Sequence, residues 1–577
     1  CGYGCPVNLN EQELDIKFDI ADTRINVTGE IPPLRDVNAK FHMQGGNLNV
    51  DVPVATAFFP SDRKLALRDS QFSVPSFYVK PLLADVSLKV EGTADAVGEL
   101  ATLKPINALQ KTQFKPEDFT GNVNADVTLK VGIAAENNPQ PIWDAKLQLS
   151  DFSLKPQIAG RSVKEINGEM HINAQALQLK GKGRVDDLPA EISYIEPLDP
   201  KSDVKKHIGL TTTLSGNQIN KLAPGLSSLI GGTTKIVLDV DHQMNQQIKI
   251  DLKNSTLKLP GIGWHKGAGI AATATFNVKE NAGRIEVSDL SLKGDGFGAD
   301  GKLALNKGQL VSANFSRMQL APSDSFSVDV KSSNNLLEVI ARGKAIDMRS
   351  LLGRLRDGSA TDGTGEDTSN LSLDINLDFD RAIGFHEEEM SNLNGIVSVR
   401  GGKLRRLDLN GVSGRGQAVV AQTTRNGNVS TISLTSSDAG SLARFSNLYS
   451  RINSGLLNLR LSTTNGDSWS GSIDLRNFAV MNESKLQDFV ATPTGADGRS
   501  LNKAVKRNIN VSSERFQRAF SRLVYVNGAV ALENGIIRGE QIGATFQGLL
   551  SVAGLVTRSS VAAPLVRSIT PGACSRR

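Results

Sequence analysis

Apolar and polar residues alternate along most of the chain. Leu14, Ile16, Phe18 and Ile20 are separated by Asp15, Lys17 and Asp19, and Leu48, Val50, Val52 and Val54 repeat the pattern. Val123, Ala125, Val127, Leu129, Val131 and Ile133 extend it; Leu147 and Leu149 follow. Further along come Ile236, Leu238 and Val240, then Ile248, Ile250 and Leu252. The clearest run is Leu371, Leu373, Ile375, Leu377 and Phe379, alternating with Ser372, Asp374, Asn376 and Asp378. A period of two places each apolar set on one face of a strand and leaves the other face charged and wet, as antiparallel sheets allow.

Gly45-Gly46, Gly231-Gly232, Asn281-Ala282-Gly283, Gly401-Gly402, Asn426-Gly427 and Asn465-Gly466 punctuate the strands. Such turns admit positive φ and join strands at hairpin distance, so a meander is the economical topology. Helical spacing is rare. Residues 99–112 carry Leu100, Leu103 and Leu109 around Pro105. Residues 438–453 place Leu442, Phe445, Leu448 and Ile452 on one side behind Asp438 as N-cap, and 513–524 do the same with Phe516, Phe520 and Leu523. These helices are expected to cap sheet ends. The fold class that follows is mainly β: a long antiparallel β-meander forming an elongated groove, with a few short amphipathic helices.

Residues 356–370, RDGSATDGTGEDTSN, are almost free of apolar side chains and read as a flexible linker. The expected organisation is a repeating β-groove region over 1–355, the linker, a C-terminal domain over 371–550, and an irregular tail over 551–577. At 577 residues the chain exceeds what one core holds, so it has several domains or an elongated repeat. Its 39% hydrophobic content is too low for a polytopic membrane protein and too high for general disorder. No apolar run approaches the roughly 20 residues of a membrane span. Cys1, Cys5 and Cys574 lie at the ends, so no disulfide framework holds the middle; Cys1 reads as a fragment boundary, with a lipid-modified mature N-terminus as the alternative. The 65 basic and 60 acidic residues nearly balance without a basic stripe, which speaks against nucleic acid as a partner.

The search for chemistry finds no reactive constellation. The histidines, His42, His171, His207, His242, His265 and His386, lack metal-ligand spacing. Residues 294–301, GDGFGADG, lie between strand-like segments, whereas a phosphate loop opens a helix, so a bulged hairpin turn is expected. No nucleophile elbow occurs; the carboxylates fall on alternate strand positions, as on a solvated face, and none can be singled out for acid–base work. The expectation is a non-enzyme with no catalytic residues, no metal and no cofactor.

The unusual resource is the one-sided apolar surface, which must be packed shut or occupied. Leu, Ile and Val dominate it, as suits acyl chains, whose burial gains about 0.8 kcal/mol per methylene. The candidate groove lining is Leu147, Leu149, Ile236, Leu238, Val240, Ile248, Ile250, Leu252, Leu371, Leu373, Ile375 and Leu377.

Four segments resemble the AsmA-like family of bacterial envelope proteins, the bridge-like lipid transfer proteins of Gram-negative bacteria. They are 92–131 (GTADAVGELATLKPINAL, then FTGNVNADVTLKV), 255–278 (STLKLPGIGWHKGAGIAATATFNV), 393–416 (LNGIVSVRGGKLRRLDLNGVSGRG) and 516–548 (FQRAFSRLVYVNGAVALENGIIRGEQIGATFQG). The resemblance covers roughly 80–550 and consists of diffuse patterns in the family's order, the last with a helix leading into short strands. It implies a periplasmic β-groove protein, anchored in the inner membrane, that carries phospholipid between inner and outer membranes. It carries over no catalytic residues. Against the family's pattern the chain lacks the N-terminal membrane helix and is expected to be truncated at both ends. The alternative is a non-catalytic outer-membrane assembly or envelope scaffold factor with envelope protein partners, recruited by strand addition. A surface adhesin would need short fixed repeats, which are absent.

Overall fold

The computed structural model describes residues 8–551 except 28–29, 105, 107, 110–113, 135–137, 159, 223–228, 260–261, 282, 308, 334–335, 358–371, 402, 485–486, 488–490, 492–508, 527–528 and 541–542. The described chain is mainly β, with four short helices, and its strands do not close into a barrel. It divides into two compact units: residues 1–214 with 235–250, and residues 215–234 with 251–577.

Unit 1 is a meander. Its strands are β1 (Asp15–Ile25), β2 (Leu34–Gln44), β3 (Asn47–Phe58), β4 (Lys64–Val74), β5 (Leu83–Thr93), β6 (Phe119–Gly132), β7 (Ile142–Ile158), β8 (Arg161–Asn173), β9 (Ala176–Val185), β10 (Leu188–Pro197) and β11 (His207–Ser215). Each pairs antiparallel with the next. Helix α1 (Ala94–Thr102) interrupts the series between β5 and β6. It begins and ends earlier than the spacing over 99–112 predicts, although Leu100 and Leu103 still face the core. The strands β12 (Ile230–Val240) and β13 (Gln246–Asp251) follow.

Unit 2 opens with α2 (Gly216–Leu222) and continues with β14 (Ser255–Leu259), β15 (Trp264–Lys266), β16 (Ala272–Asn281), β17 (Arg284–Gly294), β18 (Gly298–Asn306), β19 (Gln309–Gln319), β20 (Ser325–Ser333), β21 (Leu336–Asp347) and α3 (Arg349–Asp357). Then come β22 (Ser372–Ile383), β23 (Glu389–Arg400), β24 (Lys403–Ser413), β25 (Ala418–Asn426), β26 (Val429–Ser436), α4 (Ala439–Phe445), β27 (Ile452–Asn453), β28 (Leu456–Thr463), β29 (Trp469–Met481), β30 (Ser513–Val526), β31 (Ala529–Gly539) and β32 (Gly543–Ser551).

The pairing is not sequential throughout: β26 pairs with β28, and β27 with β29. β21 and β22 run parallel, from Leu336 opposite Ser372 to Asp347 opposite Ile383. A parallel pair cannot be joined by a hairpin; its connection must return along the whole strand, about 36–40 Å for such lengths. The polar segment read as a linker lies in this connection: Arg356 and Asp357 end α3, and 358–370 lie outside the described residues, as do Leu371 and the tail beyond Ser551.

Three further expectations need correction. The helix expected over 438–453 is only α4, ending at Phe445, with Leu448 72% exposed and Ile452 in strand β27. Residues 513–524 form strand β30, not a helix. Cross-strand pairing with β29 and β31 decides the matter, and Val524, Tyr525 and Val526 favour it. Val54 does not share the face of Leu48, Val50 and Val52 but sits opposite Arg68, 38% exposed, while Ala55 and Ala57 are buried. Register shifts accompany the change: β3 shifts against β2 on either side of the Asn38–Val54 pair. On neighbouring β4, Asp69 has φ +42° within a register shift against β5, where one extra residue inverts the alternation. Asp22, Asp36 and Asp151 sit at similar shifts on β1, β2 and β7, in the left-handed region that aspartate tolerates better than most residues. The glycine-rich segment 294–301 contains the hairpin turn, Asp295–Phe297, between β17 and β18: Gly294 N–H donates to Phe297 O at 2.9 Å, and Phe297 packs on Trp264.

Candidate functional site: the apolar sheet face

Strand pairing turns the alternation into rows that cross the sheet. In unit 1 one row runs Phe18, Phe41, Val50, Phe72, Val86, Leu129 and Trp143, each directly opposite the next. At ~4.8 Å per strand it spans about 29 Å. Phe18 is exposed and the other six are half-buried. A second row runs Ala55, Leu67, Val90, Ala125, Leu147, Met170, Leu179, Tyr194 and Ile208. Its first four members are buried and its last five are half-buried.

Ala55 and Leu67 are buried with Val37 and Ala39 of the neighbouring strand; helix α1 covers Val90 and Ala125. Ala94, Ala96 and Gly98 are buried with Ala57, Leu65, Val90, Val123, Ala125, Leu149 and Ile166. The helix lies close because Gly98 has no side chain: a Cβ there would stand 2.8 Å from the Phe119 ring. Arg63 clamps it, with Nε 2.7 Å from Asp95 Oδ2 and Nη1 2.7 Å from Glu99 Oε2. Burial opposes the charge on Asp95, but hydrogen bonds from Thr93 and Arg63 outweigh it and hold the carboxyl below its ordinary range. Their reciprocal effect raises the Arg63 guanidinium, first through Glu99.

Unit 2 repeats the device. Rows cross it as Val287, Leu303, Ala313, Val330, Val339, Ile375, Val397 and Leu407, and as Phe315, Val328, Ala341, Leu377, Gly395, Leu409, Ala421, Leu434, Leu459 and Ile473. Most members are half-buried. Leu352 of α3 and Leu442 and Phe445 of α4 cover part of the face with Phe379, Ala382, Met390 and Val419. Asp438 caps α4 as its sequence predicts, accepting from Ser441 N at 3.1 Å. Arg444 Nε reaches Glu388 Oε1 at 2.6 Å and plays the part of Arg63.

The expected lining residues fall into three groups. Leu147, Ile236, Leu238, Ile248, Ile250, Leu373, Ile375 and Leu377 are half-buried. Leu149, Val240 and Leu252 are buried, with Leu149 in the cluster under α1 and Leu252 just past the end of β13. Leu371 is outside the described residues. The structure joins Leu147 to the rows of unit 1, and Ile375 and Leu377 to those of unit 2; Leu373 lies opposite Leu337 and Val399.

One feature of this face escapes the alternation. The row Leu88, Val127, Ala145, Ile172, Leu177 ends on Glu196. Glu196 pairs with Lys206 at 2.9 Å and accepts a hydrogen bond from the Tyr194 hydroxyl. Burial first, then Glu196, raises the Tyr194 pKa. The opposite face carries cross-strand ion pairs such as Lys130–Asp85 and Lys182–Glu191. Among the described residues no helix is long and apolar enough to cross a membrane. No family model, curated protein or solved structure matches the chain.

Proposed function

We propose that the chain is a non-catalytic periplasmic carrier that shields phospholipid acyl chains on its apolar sheet faces, on a route between inner and outer membranes. The observation that supports this is the incomplete burial of the row from Phe41 to Trp143 and of all but Ala313 in the row from Val287 to Leu407. Aliphatic and aromatic side chains in unbroken rows are an unfavourable surface to leave to water, and acyl chains match them in chemistry and width. Glu196 and Lys206 stand where one row ends, a polar terminus suited to a headgroup. The resemblance of 92–131, 255–278, 393–416 and 516–548 to AsmA-like proteins supports the same reading.

Native mass spectrometry of the purified chain, with identification of the released lipid, tests it. Bound phospholipid is the expected result. A lipid-free, monodisperse chain overturns the proposal and favours an envelope scaffold. That second reading draws on β1, which pairs only with β2 among the described residues and exposes Ile16 and Phe18, an edge suited to strand addition.

A further inference from the structure

The polar face of β28–β31 gathers arginines. No basic run occurs in the sequence there, but strand pairing assembles one. Arg476, Arg518 and Arg538 stand directly opposite one another on β29, β30 and β31. A parallel row brings Arg460, Ser472, Arg522 and Glu533 together. Between them lies the row Asp474, Phe520 and Ile536. These rows therefore hold five exposed arginines against two carboxylates.

Like charges facing each other across strands destabilise a sheet. One acid moderates the repulsion here. Asp474 lies 2.8 Å from Arg476 Nη2 and 2.9 Å from Arg518 Nε, and these bonds, Arg476's first, hold its carboxyl below the ordinary range. Arg460, Arg522 and Arg538 make no ion pair among the described residues. Ile536 and Leu456 stand out beside them, 52% and 48% exposed.

We propose that this face docks peripherally on a membrane surface rich in anionic phospholipid. The arginines meet headgroup phosphates in bidentate fashion, while Ile536 and Leu456 enter the boundary with the acyl chains. A phosphodiester backbone offers no complement to those two aliphatic side chains. The site lies on the opposite face from the apolar rows, so it stands apart from the carrier reading.

Flotation of the full chain with phosphatidylcholine vesicles, with and without phosphatidylglycerol, tests the proposal. Binding is expected only with phosphatidylglycerol and is expected to fall steeply with salt. The triple variant Arg460→Gln, Arg522→Gln, Arg538→Gln removes about fivefold in partitioning per arginine, on the order of 100-fold together. The corresponding triple lysine variant keeps the charge and keeps most of the binding; if the glutamine variant does not fold, the lysine variant and the salt dependence decide. Leu129→Asp, on the apolar face of unit 1, leaves flotation unchanged. The inference is overturned by indifference to phosphatidylglycerol, by unaltered binding of a folded glutamine variant, by tighter binding to duplex DNA than to the vesicles, or by loss of flotation in Leu129→Asp.

Discussion

Strand β6 passes through two environments on one face. Val123 and Ala125 lie beneath α1, 3% and 8% exposed, whereas Val127, Leu129 and Val131 continue the same alternation half-buried. Residue type and spacing are the same in both stretches. What differs is cover: a nine-residue helix, held by a glycine contact and an arginine clamp, closes one part of the face, and the rest remains open. Period-two patterning thus specifies which face is apolar without specifying what lies over it. The covered stretch supports the fold, and the open stretch is the part available to a ligand.

Introducing a charge separates the two most strongly. Val123→Asp places an unpaired carboxylate under α1 and is expected to cost about 4 kcal/mol or more, enough to unfold much of unit 1. Leu129→Asp can turn its carboxylate to solvent and is expected to cost about 1–2 kcal/mol while lowering bound lipid sharply. Urea unfolding and native mass spectrometry on the same samples give both readouts. Should Leu129→Asp unfold the unit as Val123→Asp does, the open stretch is a dry core, and the carrier reading fails with it.

Truncation gives a gentler version. Leu65 is almost wholly buried in the covered cluster, and Leu65→Ala is expected to lose about 2–4 kcal/mol to transfer and cavity terms. Leu147 lies half-buried where the second row emerges from the helix; Leu147→Ala is expected to lose about 1 kcal/mol. Equal losses, read from urea midpoints at an unchanged slope, would mean that the two stretches are packed alike.

The same contrast explains what the sequence could and could not disclose. The fold class and the apolar face were legible because period two survives most strand pairings; Leu373, Ile375 and Leu377 are placed by it correctly on one face of β22. Asp438 was legible as an N-cap because its signal is local. The bulges were not. Asp69 and Asp151 look like any other acid on a wet face, and only pairing reveals the register shifts at which they sit and the one beside Val54. β30 misled for a related reason: Phe516, Phe520 and Leu523 have helical spacing, yet Phe516 and Leu523 are buried while Phe520 lies among the arginines of the other face. The cover over Val123 and Leu149 was hidden as well, since α1 touches strands far apart in sequence. So was the basic face, whose arginines meet only through β28–β31.

The smallest expected effect tests the clamp that makes the covered stretch what it is. Asp95 has a folded-state pKa below its ordinary value, so the stability it contributes is present above about pH 4 and is lost as pH falls through the lowered value. Its side chain is partly exposed, and solvent screening keeps the contribution below about 1 kcal/mol. Acidification should therefore loosen α1 before it unfolds unit 1. Hydrogen exchange of the Ala94–Thr102 amides is expected to accelerate at acid pH, after correction for intrinsic rates, while amides around Val86 and Leu129 change less. In Asp95→Asn the helix is already loosened at neutral pH and its acid response shrinks. If α1 exchanges alike in wild type and variant across that range, Arg63–Asp95 does not hold the helix, and the cover rests on the Gly98–Phe119 contact and the apolar cluster.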